Sequence, residues 1–116
     1  MDATSLTEAG ARFFAVFERG QAIAMGALKQ LSDGNGELKS MHVRADRRGA
    51  GLADAMLRHL LDVARRGGMM RLSLETGSQD AFFAARAFYD RHGFVPCGPF
   101  EGYVPDVNSV FMTRTI

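Results

Sequence analysis

The chain has 116 residues, 47% of them apolar and 23% charged, which is the balance of one ordinary globular domain. Its net charge of +1 is too small to imply a nucleic-acid or membrane surface, and no apolar run is long enough to cross a bilayer. The single cysteine, Cys97, excludes an intrachain disulfide and fits a reducing cytoplasm.

The opening stretch, MDATSLTEAGA, carries Asp2 and Glu8 and no basic leader, so no signal peptide is expected. Residues 12–18, RFFAVFE, are aromatic and β-branched and read as a strand. Residues 21–31 follow a turn at Arg19-Gly20 and read as its hairpin partner. The DGNG turn at 33–36 leads into a third strand, 37–44. The period then changes. Ala53, Met56, Leu57, Leu60, Leu61 and Ala64 mark one apolar face of a helix that ends at Gly67-Gly68. Residues 70–76, MRLSLET, alternate as a strand, completing a βαβ unit with parallel strands. Ser78 is the expected N-cap of a second helix, DAFFAARAFYDRH, stopped by Gly93. Residues 94–97 and 108–116 read as closing strands. The expected order is β-β-β-α-β-α-β-β, an α+β fold with a mixed sheet and a single domain over 1–116.

The most informative stretch is RADRRGAGLADAML, residues 44–57. Helices favour acidic residues in their first turn, yet Arg47 and Arg48 stand directly before this one. Small residues leave backbone N–H groups uncovered at a helix N-terminus, which is an anion site. The two cations then make sense beside a phosphate or diphosphate. A plain solvated loop with Asp46 as cap explains them equally well. A dinucleotide fingerprint fails, because Asp54 stands where glycine is needed, and a Walker A loop lacks its Gly-Lys-Ser/Thr.

The run R-G-A-G-L-A at 48–53 resembles the pyrophosphate loop of the GNAT superfamily of acyl-coenzyme A-dependent N-acetyltransferases. FYDRHGF at 88–94 is similar to that family's F-Y-x-x-x-G-F segment, and the element order agrees. The stretch from ETGSQDAFF onward is similar to a bacterial subgroup of uncharacterised members. The resemblance covers residue 12 to the end.

The resemblance implies an N-acetyltransferase that moves an acetyl group from acetyl-coenzyme A to a primary amine by direct attack. It implies that the amides of Arg48, Gly49, Ala50, Gly51, Leu52 and Ala53 cradle the pyrophosphate. Main-chain groups near Met41, His42 and Val43 hold the pantetheine arm. Tyr89 matches the tyrosine that protonates the leaving thiolate. Glu37 matches a general-base position, with a strand-end pair to Lys39 as the plain alternative. Glu75 is a candidate for binding the acceptor amine, with a surface pair to Arg71 as its alternative. Cys97, His42, His59 and His92 have no required role, and no metal-ligand spacing appears.

Two departures from the family pattern stand out. Phe82 fills the place of a usual asparagine, and the N-terminus is short of the strand and helices that normally precede the first hairpin. Missing cover predicts either a truncated form or completion by a second subunit, a homodimer. The rival reading is an inactive module that holds coenzyme A or a partner without turnover. A small-molecule or protein amine is the expected acceptor, with no nucleic acid, membrane or metal involved.

Overall fold

The computed structural model describes residues 2–8 and 10–116, the first seven by backbone path alone. The strands are β1 (Asp2–Glu8), β2 (Ala11–Glu18), β3 (Gln21–Gln30), β4 (Asn35–Val43), β5 (Arg71–Gly77), β6 (Val95–Cys97) and β7 (Ser109–Thr115). The helices are α1 (Leu52–Arg66) and α2 (Phe83–Arg91). All strands join one sheet in the order β1-β2-β3-β4-β5-β7-β6. Only β4 and β5 run parallel, joined by the crossover through α1.

The α+β mixed sheet agrees with the sequence expectation, with one addition. A strand at Asp2–Glu8 precedes the expected hairpin and pairs with all of β2. Its residues, DATSLTE, carry little strand propensity of their own, so backbone pairing with β2 explains it rather than local preference. The sheet edge that was expected bare beside β2 is therefore covered. Met1 and Ala9 of the opening stretch lie outside the described residues.

One face of the sheet carries the core. Phe14, Ala24, Leu28, Leu38, Leu72, Leu74 and Met112 meet Met56, Leu57, Leu60, Leu61 and Ala64 of α1. Full burial of each leucine contributes about 1.5–3 kcal/mol, which is what pins α1 across the sheet. Gly26 permits the close approach: a Cβ there would lie 2.7 Å from Leu60 and 2.9 Å from Met41.

Two irregularities open the sheet beside this core. The β3–β4 register passes from Met25↔His42 to Ala27↔Lys39, so Ser40 and Met41 together oppose Gly26. This is a β-bulge, with Ser40 in the left-handed region at φ 57°. On the other side, β4 and β5 pair only through Asn35↔Arg71, Gly36↔Leu72 and Glu37↔Ser73. Past Glu37 the two strands diverge, and the β4 backbone loses its partner on that side.

Candidate active site

The divergence makes a wedge-shaped cavity of about 580 Å³. Leu38 to Val43 of β4 form one wall, and Leu74, Glu75 and Thr76 of β5 form the other. Arg48 and Ala53 close one end. Ala81, Ala84 and Ala85 supply a floor of small side chains, with Phe82, Phe88 and Tyr89 beside them. Cavities with mostly apolar walls and a few convergent polar groups are the usual form of a small-molecule site.

At the α1 end, Gly51 is the N-cap, with φ 81° and no side-chain cap. The first intrahelical bond runs from Ala55 N–H to Gly51 C=O. The amides of Gly51, Leu52, Ala53 and Asp54 therefore precede the helical ladder, as at every helix start. Gly49 is also left-handed, and a Cβ at either glycine would meet nothing within 4 Å. The loop is thus an open rim of N–H groups at the positive end of a helix, which suits a diphosphate.

The two arginines that raised the question part company. Arg47 donates through both terminal nitrogens to the two carboxylate oxygens of Glu18 on β2. Its charge is met within the protein, so the expectation that it faces a ligand phosphate is not supported. Arg48 is exposed, donates from Nε to the Val43 carbonyl at 3.3 Å, and borders the cavity. Asp46 does not cap α1: it sits in a short 3₁₀ turn and accepts from Arg44 at 2.6 and 3.0 Å. This contact holds the Asp46 carboxyl below and the Arg44 guanidinium above their ordinary values.

Tyr89 comes from the last turns of α2 and is 9% exposed, packed edge-on against Phe88 and Phe94. Burial pushes its phenol up to about 12. It is therefore a neutral O–H donor at physiological pH, at the β4–β5 wedge. The expected Ser78 cap is replaced: Ser78 Oγ donates to the Val107 carbonyl at 2.6 Å, and a 3₁₀ turn at Asp80–Phe82 leads into α2. Phe82 packs over Gly77, where any Cβ would lie 2.2 Å from its ring.

Glu37 is the last β4 residue paired with β5 and is 4% exposed. It shares a sheet face with Ser73, away from α1. Lys39 Nζ lies 3.9 Å from Glu37 Oε2, the pairing foreseen as the plain alternative. A much shorter contact comes from Tyr103, whose hydroxyl donates to Glu37 Oε2 at 2.6 Å. Glu75 borders the cavity and accepts from Ser109 Oγ at 2.5 Å. Its expected partner Arg71 turns instead to Thr113 Oγ1 at 3.1 Å.

Sequence reasoning missed Tyr103 and Ser109. Tyr103 lies 66 residues from Glu37 in an irregular loop, and no spacing rule links the two. The weak available signal is an aromatic inside a Gly/Pro-rich segment, 98–105. His42 is exposed on the cavity wall, whereas His92 bonds Asp54 of α1 at 2.6 Å. Cys97 sits at β6, outside this cavity. Among the described residues no cluster suits a metal ion, and no helix is long and apolar enough to cross a membrane.

The chain was compared with known proteins. The model of the Acetyltransferase (GNAT) family matches residues 2–94. The uncharacterised N-acetyltransferase YedL of Escherichia coli K12 is 41% identical over 116 residues, covering all of this chain and 73% of its own. A candidate acyl-CoA N-acyltransferase from Klebsiella pneumoniae superposes with a TM-score of 0.84 at 32% identity, over 95% of this chain and 75% of that one. A GNAT family acetyltransferase from Elizabethkingia anophelis, solved with acetyl-CoA bound, has the same fold at 13% identity. Its TM-score is 0.77, over 92% of this chain and 77% of that one.

Proposed function

The chain belongs to the GNAT acetyltransferase family, and from that premise we propose that it transfers an acetyl group from acetyl-coenzyme A to a primary amine. The observation that carries this reading is the cavity that runs from Arg48 and Ala53, the two ends of the glycine loop, along the edge of β4 left unpaired toward β5 to Tyr89. A diphosphate fits the rim of amides at Gly49, Ala50, Gly51, Leu52 and Ala53; the Arg48 amide bonds the Ala45 carbonyl, so Arg48 offers its guanidinium instead. An extended pantetheine arm fits beside Met41, His42 and Val43, where β4 lacks a neighbouring strand.

In this reading the amine nitrogen attacks the thioester carbonyl carbon and forms a tetrahedral intermediate. Before that attack Glu37, acting through water since it lies outside the cavity wall, takes a proton from the acceptor ammonium and frees the electron pair of its nitrogen. Backbone N–H groups of β4 favour the developing oxyanion. Collapse breaks the C–S bond, Tyr89 donates its proton to the departing sulfur, and the extra proton on the acylated nitrogen returns to the Tyr89 oxygen through water. The products are the acetamide and free coenzyme A. Glu75, an exposed carboxylate at the mouth, attracts the cationic acceptor.

Calorimetry tests the cosubstrate: acetyl-coenzyme A should bind saturably and more tightly than ATP, and Gly51→Glu should abolish it. Turnover with a panel of amines tests the chemistry. Tight binding without turnover of any amine would instead support a coenzyme A-holding module.

We also propose self-association. β1 lies at the margin of the sheet, and strand edges pair readily. A monodisperse monomer by light scattering would refute it.

A further inference from the structure

The base proposed above is buried and stands outside the wedge, yet one side chain from another part of the chain reaches it. We propose that Tyr103 is a positioning residue for Glu37: its hydroxyl fixes the carboxylate in the orientation in which it accepts the acceptor's proton. This rests on the acetyl-transfer reading and extends the site to the loop 98–108.

The geometry is specific. The Tyr103 hydroxyl meets Glu37 Oε2 at 2.6 Å, against 3.9 Å for Lys39 Nζ. The ring does not reach there by chance, because it packs edge-on against Phe100 and tilted against Phe111, centroids 5.1 and 5.5 Å away. Phe111 belongs to β7 and is itself buried, so a sheet strand anchors the tyrosine. Ser32 Oγ donates to Glu101 Oε1 at 2.7 Å and ties the same loop to the β3–β4 turn.

The charged groups around Glu37 come from three strands. Lys29 is its register partner on β3, Lys39 follows it on β4, and Glu75 lies further along β5. Both Glu37 and Glu75 push the Tyr103 phenol up, to about 12, with the hydrogen bond to Glu37 the largest cause. Tyr103 therefore remains a donor across the working pH range. A hydrogen bond donated to a carboxylate favours its charged form, and an unpaired buried carboxylate is costly.

The test is Tyr103→Phe, which keeps the aromatic packing and removes only the O–H. Acetyl-coenzyme A affinity should stay within twofold of wild type, while kcat/KM for the acceptor falls ~10–100-fold. The loss should fall on kcat, with the acceptor KM within about twofold. Melting curves give a readout independent of turnover: a loss of roughly 3–6 °C is expected where the buried carboxylate loses its donor. In a Glu37→Gln background the same substitution should cost little further activity. An unchanged kcat in Tyr103→Phe, or an equal further loss in the Glu37→Gln background, would overturn the role of Tyr103 alone. A wild type that turns over no amine would overturn the acetyl-transfer reading, and this role with it.

Discussion

Arg47 forks onto Glu18, two parallel N–H donors meeting two carboxylate oxygens, and so ties the 3₁₀ turn before α1 to strand β2. Its neighbour Arg48 stays exposed at the cavity. Adjacent arginines of one loop thus have opposite roles. Arg47→Ala should lower stability by about 1 kcal/mol, the upper end for a partly exposed pair, and leave a measurable cosubstrate site. Arg48→Ala should leave the melting temperature nearly unchanged and weaken acetyl-coenzyme A binding ~3–10-fold, through the loss of one favourable charge near a diphosphate. Calorimetry and thermal melting on both variants separate the two. Equal effects in both assays would refute the division.

The leaving-group role of Tyr89 predicts a split. Tyr89→Phe should lower kcat ~100-fold or more while the acetyl-coenzyme A Kd stays within about twofold. Single-turnover kinetics with a saturating amine would show it. An unchanged chemical step would assign the proton to solvent instead.

Alkaline behaviour follows from the two tyrosines, the only ones in the chain. Both phenols are raised from 10 to about 12, Tyr89 by burial and Tyr103 chiefly by its bond to Glu37. A raised value means that the folded state holds the proton more tightly. That stability is fully present below pH 10 and is lost as pH climbs toward 12, because the unfolded phenols ionise first. Tyrosine absorbance should therefore titrate together with unfolding, and Tyr89→Phe should flatten the alkaline loss. Ionisation well before unfolding would contradict this.

Glu75→Gln should raise KM for a cationic acceptor ~5–50-fold with kcat little changed, because the role proposed for the carboxylate is to attract the ammonium without touching the thioester. Initial rates across acceptor concentration decide it. A fall in kcat alone would make Glu75, not Glu37, the base.

The core carries the last prediction. Leu60 is fully buried on α1 beside Gly26. Leu60→Ala should cost about 2–5 kcal/mol in urea unfolding, a large part of a small domain's stability.

Local chemistry explains why so much was legible from residues alone. The 3.6-residue recurrence from Ala53 to Ala64 reflects burial of one helix face, and it appears in the structure as α1 packed on the sheet. The alternation of Leu72 and Leu74 with Arg71, Ser73 and Glu75 reflects the two faces of β5. The small residues at 49–51 marked an uncovered turn before a helix, and both glycines there have positive φ with no neighbour near a would-be Cβ. Each of these signals spans a dozen residues or fewer, so side-chain type and spacing suffice to express it.

Long-range partnership has no such local trace. Nothing near Arg47 names Glu18 as its partner, and nothing near Glu37 names Tyr103. Ser78 carried a capping signature, yet Val107 from the final loop claimed its hydroxyl. Strand β1 formed from a polar segment because β2 offered its backbone edge. The sequence by itself determined the elements from β2 onward, their order and the glycine turn before α1, through periodicity and backbone preference. Tertiary structure alone decided which arginine is ion-paired and which stays exposed at the cavity, which carboxylate is buried, and which hydroxyl bonds it. Those outcomes depend on the register of β4 against β5 and on a loop returning across the sheet, where electrostatic and hydrogen-bond partners meet only after the chain has closed.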